Sequence, residues 1–110
     1  MLSRNYIKRI VTSYLKKLPV RVKFGVLFGS SVYGVRLRES DIDLIVVSDD
    51  FKNMPFEERM LILYKNWKHR TDLCAFGFTS EEYNQLKKKS IVVKEADRKG
   101  IKIWVEREYV

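Results

Sequence analysis

VLFGS at residues 26–30 and, after ten intervening residues, DIDLIVV at residues 41–47 form the stretch on which the reading of the chain turns. Asp41 and Asp43 are one residue apart, so on a strand both side chains leave the same face, with Cα atoms roughly 6–7 Å apart. The apolar run Leu44-Ile45-Val46-Val47 behind them predicts a strand covered on both faces. Two like charges at the mouth of such a strand are costly unless a cation compensates them. The turn at Gly29-Ser30, leaving a buried strand, offers backbone N–H groups and a hydroxyl to a phosphate. Taken alone, Gly-Ser is a common turn, and Asp-x-Asp equally marks a solvent-facing edge. Together they outline the two parts of metal-assisted phosphoryl transfer.

Composition narrows the class. The chain has 110 residues, 45% hydrophobic and 33% charged, which predicts a folded single domain over residues 1–110 and excludes a disordered chain. The single cysteine, Cys74, cannot form an internal disulfide or a cysteine-based zinc cluster, and its apolar strand context predicts a buried, reduced thiol. No apolar run approaches a membrane span, and the N-terminus lacks a signal-type core, so a cytoplasmic, membrane-free protein is expected. The net charge of +8 favours a polyanion or an acidic partner; spread along the chain, it serves solubility equally well. Lys87-Lys88-Lys89 is the one dense basic cluster.

Outward from the central stretch, strands and helices alternate, predicting an α/β sheet with helices on at least one side. Leu2, Tyr6, Ile10, Tyr14 and Leu18, with Ile7, Val11 and Leu15 beside them, predict an amphipathic helix capped by Ser3 and ended by Pro19. Val22–Phe28 forms the first strand. Asp49-Asp50 reads as a solvated segment and not as a metal site. Pro55 opens a helix with Phe56, Met60, Leu63, Tyr64 and Trp67 on one face. The span between Asp43 and Asp72 has room for the helical crossover that a parallel strand pair requires. On the third strand Asp72, Cys74 and Phe76 share a face, so beside the second strand Asp72 can join Asp41 and Asp43. His69, in the basic turn Lys68-His69-Arg70, is given no catalytic role. Thr79-x-x-Glu82 predicts a capping box for a helix through Lys89. A short helix over 90–99 buries Val92, Val93 and Ala96 and stops at Gly100. The last strand, Ile101–Val105, turns Trp104 and Lys102 away from Ile101, Ile103 and Val105, leaving Trp104 to cover a helix or meet a partner.

Gly29-Ser30, ten residues, then Asp41-Ile42-Asp43 resembles the GSx10DxD signature of the minimal nucleotidyltransferases, within the DNA polymerase β-like nucleotidyltransferase superfamily. Thr71-Asp72-Leu73-Cys74-Ala75 with Thr79-Ser80-Glu81-Glu82 resembles that family's third-acid strand and following helix, and Gly100–Trp104 its closing strand. The similarity thus runs over about the whole chain. Where the family often has Arg directly after Gly-Ser, this chain has Ser31, and Arg36 and Arg38 are the bases of the same segment. The resemblance implies the nucleotidyltransferase palm, an α/β (α+β) mixed sheet of about four strands with flanking helices. It implies two Mg²⁺ ions, with Mn²⁺ as the alternative, on Asp41, Asp43 and Asp72, and Gly29 and Ser30 on the β/γ-phosphates. It further implies transfer of AMP from ATP to an acceptor hydroxyl, a tyrosine of a partner HEPN-domain toxin, for which this protein would be the antitoxin. Asp72 would bind the catalytic metal or draw the acceptor's proton. Two alternatives stay open: an antitoxin that neutralises its partner by docking without catalysis, and nucleotidyl transfer to RNA. Association into a homo-oligomer also stays open.

Overall fold

The structure, a computed structural model, describes residues 4–29 and 42–105. Its elements run α1 (Arg4–Lys17), β1 (Phe24–Phe28), β2 (Ile42–Val47), a 3-10 turn (Asp49–Phe51), α2 (Phe56–Lys65), β3 (Leu73–Phe78), α3 (Ser80–Lys89), α4 (Ile91–Lys99) and β4 (Ile101–Trp104). Ser3, the expected cap of α1, lies outside the described residues. None of the described helices is long and apolar enough to cross a membrane.

The four strands form one mixed sheet in the order β3-β2-β1-β4. β1 is antiparallel to both β2 and β4, whereas β2 and β3 are parallel, as the α2 crossover between them requires. Alternation then sorts the sheet into two faces. Leu27, Leu44, Val46 and Ala75 pack with α1 residues Ile7, Val11, Tyr14 and Leu15 and with Leu63 of α2. Val26, Phe28, Ile45 and Val47 pack instead with Tyr83 of α3 and with Val93 and Ala96 of α4. β2 is therefore buried from both sides, which is why its apolar residues run without interruption.

The α1 spacing places its apolar stripe as expected, except that Tyr6 is largely exposed, and Lys16 and Lys17 sit favourably in the last turn. In α2 the expected apolar face is buried only in part: Leu63 and the following Trp67 pack against the core. Phe56, Met60 and Tyr64 are exposed, and Arg59 and Leu63 point inward. The reason is Arg59, 4% exposed, whose guanidinium fills a cradle of carbonyls. It donates to Met54 O at 2.9 Å, Phe51 O at 2.8 Å and Gly77 O at 3.0 Å, and to Glu82 Oε1 at 2.6 Å. Gly77 makes room for this: a Cβ there would meet the Phe51 ring at 2.8 Å. Glu82 also closes the expected capping box with Thr79, so the same carboxylate ties α2 to the start of α3.

At the edge of the sheet, the Tyr64 hydroxyl accepts the outward N–H of Ala75 at 3.1 Å. Tyr14 donates its hydroxyl to Leu63 O at 2.6 Å and meets Trp67 edge-on. On the opposite face Tyr83 donates to Asp97 at 2.7 Å, and Lys102 pairs with the same carboxylate at 3.0 Å. Burial works to raise the Asp97 pKa, but the Tyr83 and Lys102 bonds outweigh it and hold the group below the ordinary aspartate value.

Candidate active site

β1 ends at Phe28, and the chain turns at Gly29 with φ of 82°. That is the left-handed region, which glycine enters without a steric penalty. Space matters here as well as angle: a Cβ on Gly29 would collide with Asp43 Oδ2. The bare backbone of the turn is thus what lets the Asp43 carboxylate lie against it. The sheet register brings this about, since Phe28 and Asp43 are antiparallel partners.

On its other side Asp43 is the parallel partner of Cys74. The ladder continues one step before β3, where Ile42 N–H donates to Asp72 O at 2.8 Å. Alternation then sets Asp72 on the face of Cys74 and Asp43, with Asp43 and Asp72 Cα atoms about 8 Å apart by strand spacing. Asp43 is half-buried and Asp72 is exposed. Two of the three expected carboxylates therefore lie on the same face at one end of two adjacent strands, near the Gly29 turn. Ser30 and Asp41, with Ser31, Arg36 and Arg38, lie outside the described residues.

Among the described residues, the donors here fit a hard divalent cation: carboxylate oxygens, with the half-buried thiol of Cys74 as the soft ligand beside them. Among the described residues, no group of three or more His, Cys, Asp or Glu side chains gathers at one point. Cys74 was expected to be buried. It is only half so, because as the neighbour of Asp43 it sits where the helices leave the sheet uncovered.

Other polar residues have structural work. Asp49 accepts the Ser80 N–H at 2.9 Å and pairs with Lys23 at 2.9 Å. The Ser80 N–H first, and Lys23 after it, hold its pKa below the ordinary value. Asp50 accepts the Arg21 N–H at 2.8 Å. Both acids lie beyond the far end of β2 from Asp43, in keeping with the solvated reading. His69 is exposed and rests on the Trp67 ring. Lys87 lies over the Tyr83 ring at 5.6 Å.

One feature beside Asp43 escaped sequence reasoning: a pocket of about 390 Å³ bounded by Phe28, Phe56, Phe76 and Phe78. The expectation that Val92 is buried fails at the same place, for Val92 is 60% exposed on its rim. The available signal was the excess of phenylalanine on the face shared by Asp43 and Cys74, which by alternation alone reads as ordinary core.

Comparison with known proteins agrees with this architecture. The profile of the family described as nucleotidyltransferase domain matches residues 7–99. Among curated proteins, none matches the sequence. Among solved structures, the crystal structure of a candidate nucleotidyltransferase from Sulfolobus solfataricus superposes with a TM-score of 0.53 at 22% identity, covering 94% of this chain and 82% of that one. At that identity the likeness speaks for the fold: a four-stranded mixed sheet with flanking helices.

Proposed function

The chain belongs to the nucleotidyltransferase domain family, and from that premise we propose that it transfers AMP from ATP to an acceptor hydroxyl, a tyrosine on a HEPN-domain partner that it thereby silences. The observation that carries this reading is the Asp43 carboxylate set against the left-handed Gly29 turn, with Asp72 on the neighbouring strand. Asp43 and Asp72, together with Asp41, are the oxygens that would hold Mg²⁺ or Mn²⁺. The ion supplies charge neutralisation on the triphosphate when bound.

The chain's own residues do the rest. Backbone N–H groups at Gly29 and Ser30, with the Ser30 hydroxyl, hold the β/γ-phosphates and orient the α-phosphorus toward the open sheet face. The acceptor oxygen forms a bond to the α-phosphorus as the bridging bond to the β-phosphate breaks. Pyrophosphate leaves with that electron pair, and the acceptor's proton passes to Asp72 or to solvent.

The test is the intact mass of a HEPN partner after co-expression with wild type or with Asp43→Asn/Asp72→Asn. The reading expects the partner to gain the mass of AMP with wild type only, while the variant still co-purifies. A partner silenced equally by both, with no added mass, would mean neutralisation by docking. The net charge of +8 favours a second acceptor, RNA, which labelled ATP and an oligoribonucleotide would reveal by transfer to the RNA end.

A further inference from the structure

We propose that the aromatic pocket beside Asp43 is the acceptor subsite, and that it takes an apolar side chain of a polypeptide, close in sequence to the residue whose hydroxyl receives the nucleotide. This rests on the nucleotidyltransferase reading above and adds to it what the acceptor must look like.

The pocket floor belongs to the sheet face of Asp43. Phe28 is the antiparallel partner of Asp43, Ile45 lies two residues further along β2, and Phe76 is the parallel partner of Ile45. The cavity therefore starts directly beside Asp43 and extends over Ile45, one strand repeat or about 7 Å further along β2. Phe78 and Leu86 wall it. The rings of Phe76 and Phe78 are parallel within 4° at 6.5 Å, and Phe56 meets Phe78 edge-on at 6.2 Å. Phe56 is 54% exposed and Phe76 42%, so the folded chain leaves large apolar surface uncovered beside its site.

Chemistry selects among the ligands that could fill it. Among the described residues no charged side chain lines the pocket; the polar member is Ser90, whose hydroxyl oxygen already accepts the Val93 N–H at 3.3 Å. Among these lining residues an adenine ring would find only the Ser90 side chain for its hydrogen-bonding edge, and a nucleic-acid backbone no cation for its phosphates. A leucine- or phenylalanine-sized side chain leaves nothing unpaired and fits in about 390 Å³. In an extended peptide, residues two apart share a side at the same spacing of about 7 Å. An acceptor tyrosine over the carboxylates would thus present the side chain two positions away to the pocket.

The full chain is assayed with Mg²⁺, labelled ATP and capped heptapeptides that carry one tyrosine and either Leu or Ser two positions away. The Leu peptide is expected to have a kcat/KM at least ten-fold higher. Val92→Glu, an exposed position in the first turn of α4 where an acid suits the helix, should erase that preference. The same variant should leave the rise in melting temperature caused by Mg²⁺·ATP unchanged. Equal rates for the two peptides would overturn the proposal, as would an oligoribonucleotide labelled in preference to every peptide. Loss of the Mg²⁺·ATP response in Val92→Glu would assign the pocket to the nucleotide instead. No transfer to any peptide, with that response intact, sinks the pocket assignment alone; loss of both in wild type sinks the nucleotidyltransferase reading itself.

Discussion

Replacing Arg59 by Met tests whether one buried guanidinium organises the packing of α2 against β3 and α3. Met keeps much of the side-chain length and removes all donors. It strands the carbonyls of Met54 and Gly77, now bonded at 2.9 and 3.0 Å, leaves Phe51 O with only the Met54 N–H at 3.0 Å, and removes the partner of Glu82. An unsatisfied buried acceptor costs about 1–3 kcal/mol, but the two stranded carbonyls share one cavity and cannot be summed. Glu82 is 36% exposed and regains water, so its loss is smaller than for a fully buried pair. The cation–π contact with Phe56 at 4.6 Å contributes about 0.5–1 kcal/mol more. The expected loss is about 3–4 kcal/mol, or roughly 15–25 °C in Tm for a domain of this size. Urea unfolding followed by circular dichroism should show a lower midpoint at unchanged slope. Arg59→Lys should recover less than half, since one ammonium cannot reach all three carbonyls. A loss below about 1 kcal/mol for Met would refute the argument, because the carbonyls would then have other partners.

Gly29→Ala should cost about 1–2 kcal/mol from the left-handed backbone, and it should abolish nucleotide transfer by displacing Asp43; a transfer assay at wild-type rate would contradict a role for Asp43 set against this turn. Glu82, held below the ordinary glutamate range first by its Arg59 bond, contributes stability that is present above its unfolded pKa of about 4.3 and is lost as pH falls through the lower folded value. The melting temperature should therefore fall as pH drops below about 4.3, and less steeply in Glu82→Gln. If the positive charge serves RNA, replacing Lys87, Lys88 and Lys89 by Gln should flatten the salt dependence of binding, measured by fluorescence anisotropy.

Much of the fold is legible from periodicity, because the strands and helices each bury a face that the sequence marks. β2 reads as doubly covered since Leu44–Val47 carries no polar residue, and the capping box at Thr79 and Glu82 is a local signal needing no partner. The Gly29 turn and the neighbourhood of Asp43 and Asp72 follow from the motif plus the parallel pairing. What is not legible depends on long-range geometry. Arg59 looks like any polar residue of a helix, and its cradle exists only once Phe51, Met54 and Gly77 have been assembled around it. That cradle rotates α2, so Phe56, Met60 and Tyr64 face outward against expectation. Cys74 and Val92 are more exposed than their patterns predict for one shared reason: α3 and α4 leave the edge strand β3 uncovered beside Asp43, and no pattern along the chain records where a helix stops covering its neighbour.

β4 pairs with β1 through Phe24 and Trp104, eighty positions apart in the chain (104 − 24), whereas β2 and β3 join residues thirty-one apart (73 − 42). During synthesis, β1 emerges long before the strand that completes its open edge. Until Trp104 has left the ribosome, β1, which carries Val26 and Phe28, has one unpaired edge, the kind of edge that recruits other chains. The longer loop itself adds only about 0.8 kcal/mol of closure entropy, so the vulnerability is one of timing. Premature release a few residues before Ile101 would give a polypeptide that holds nearly all the site described above and yet is prone to aggregate.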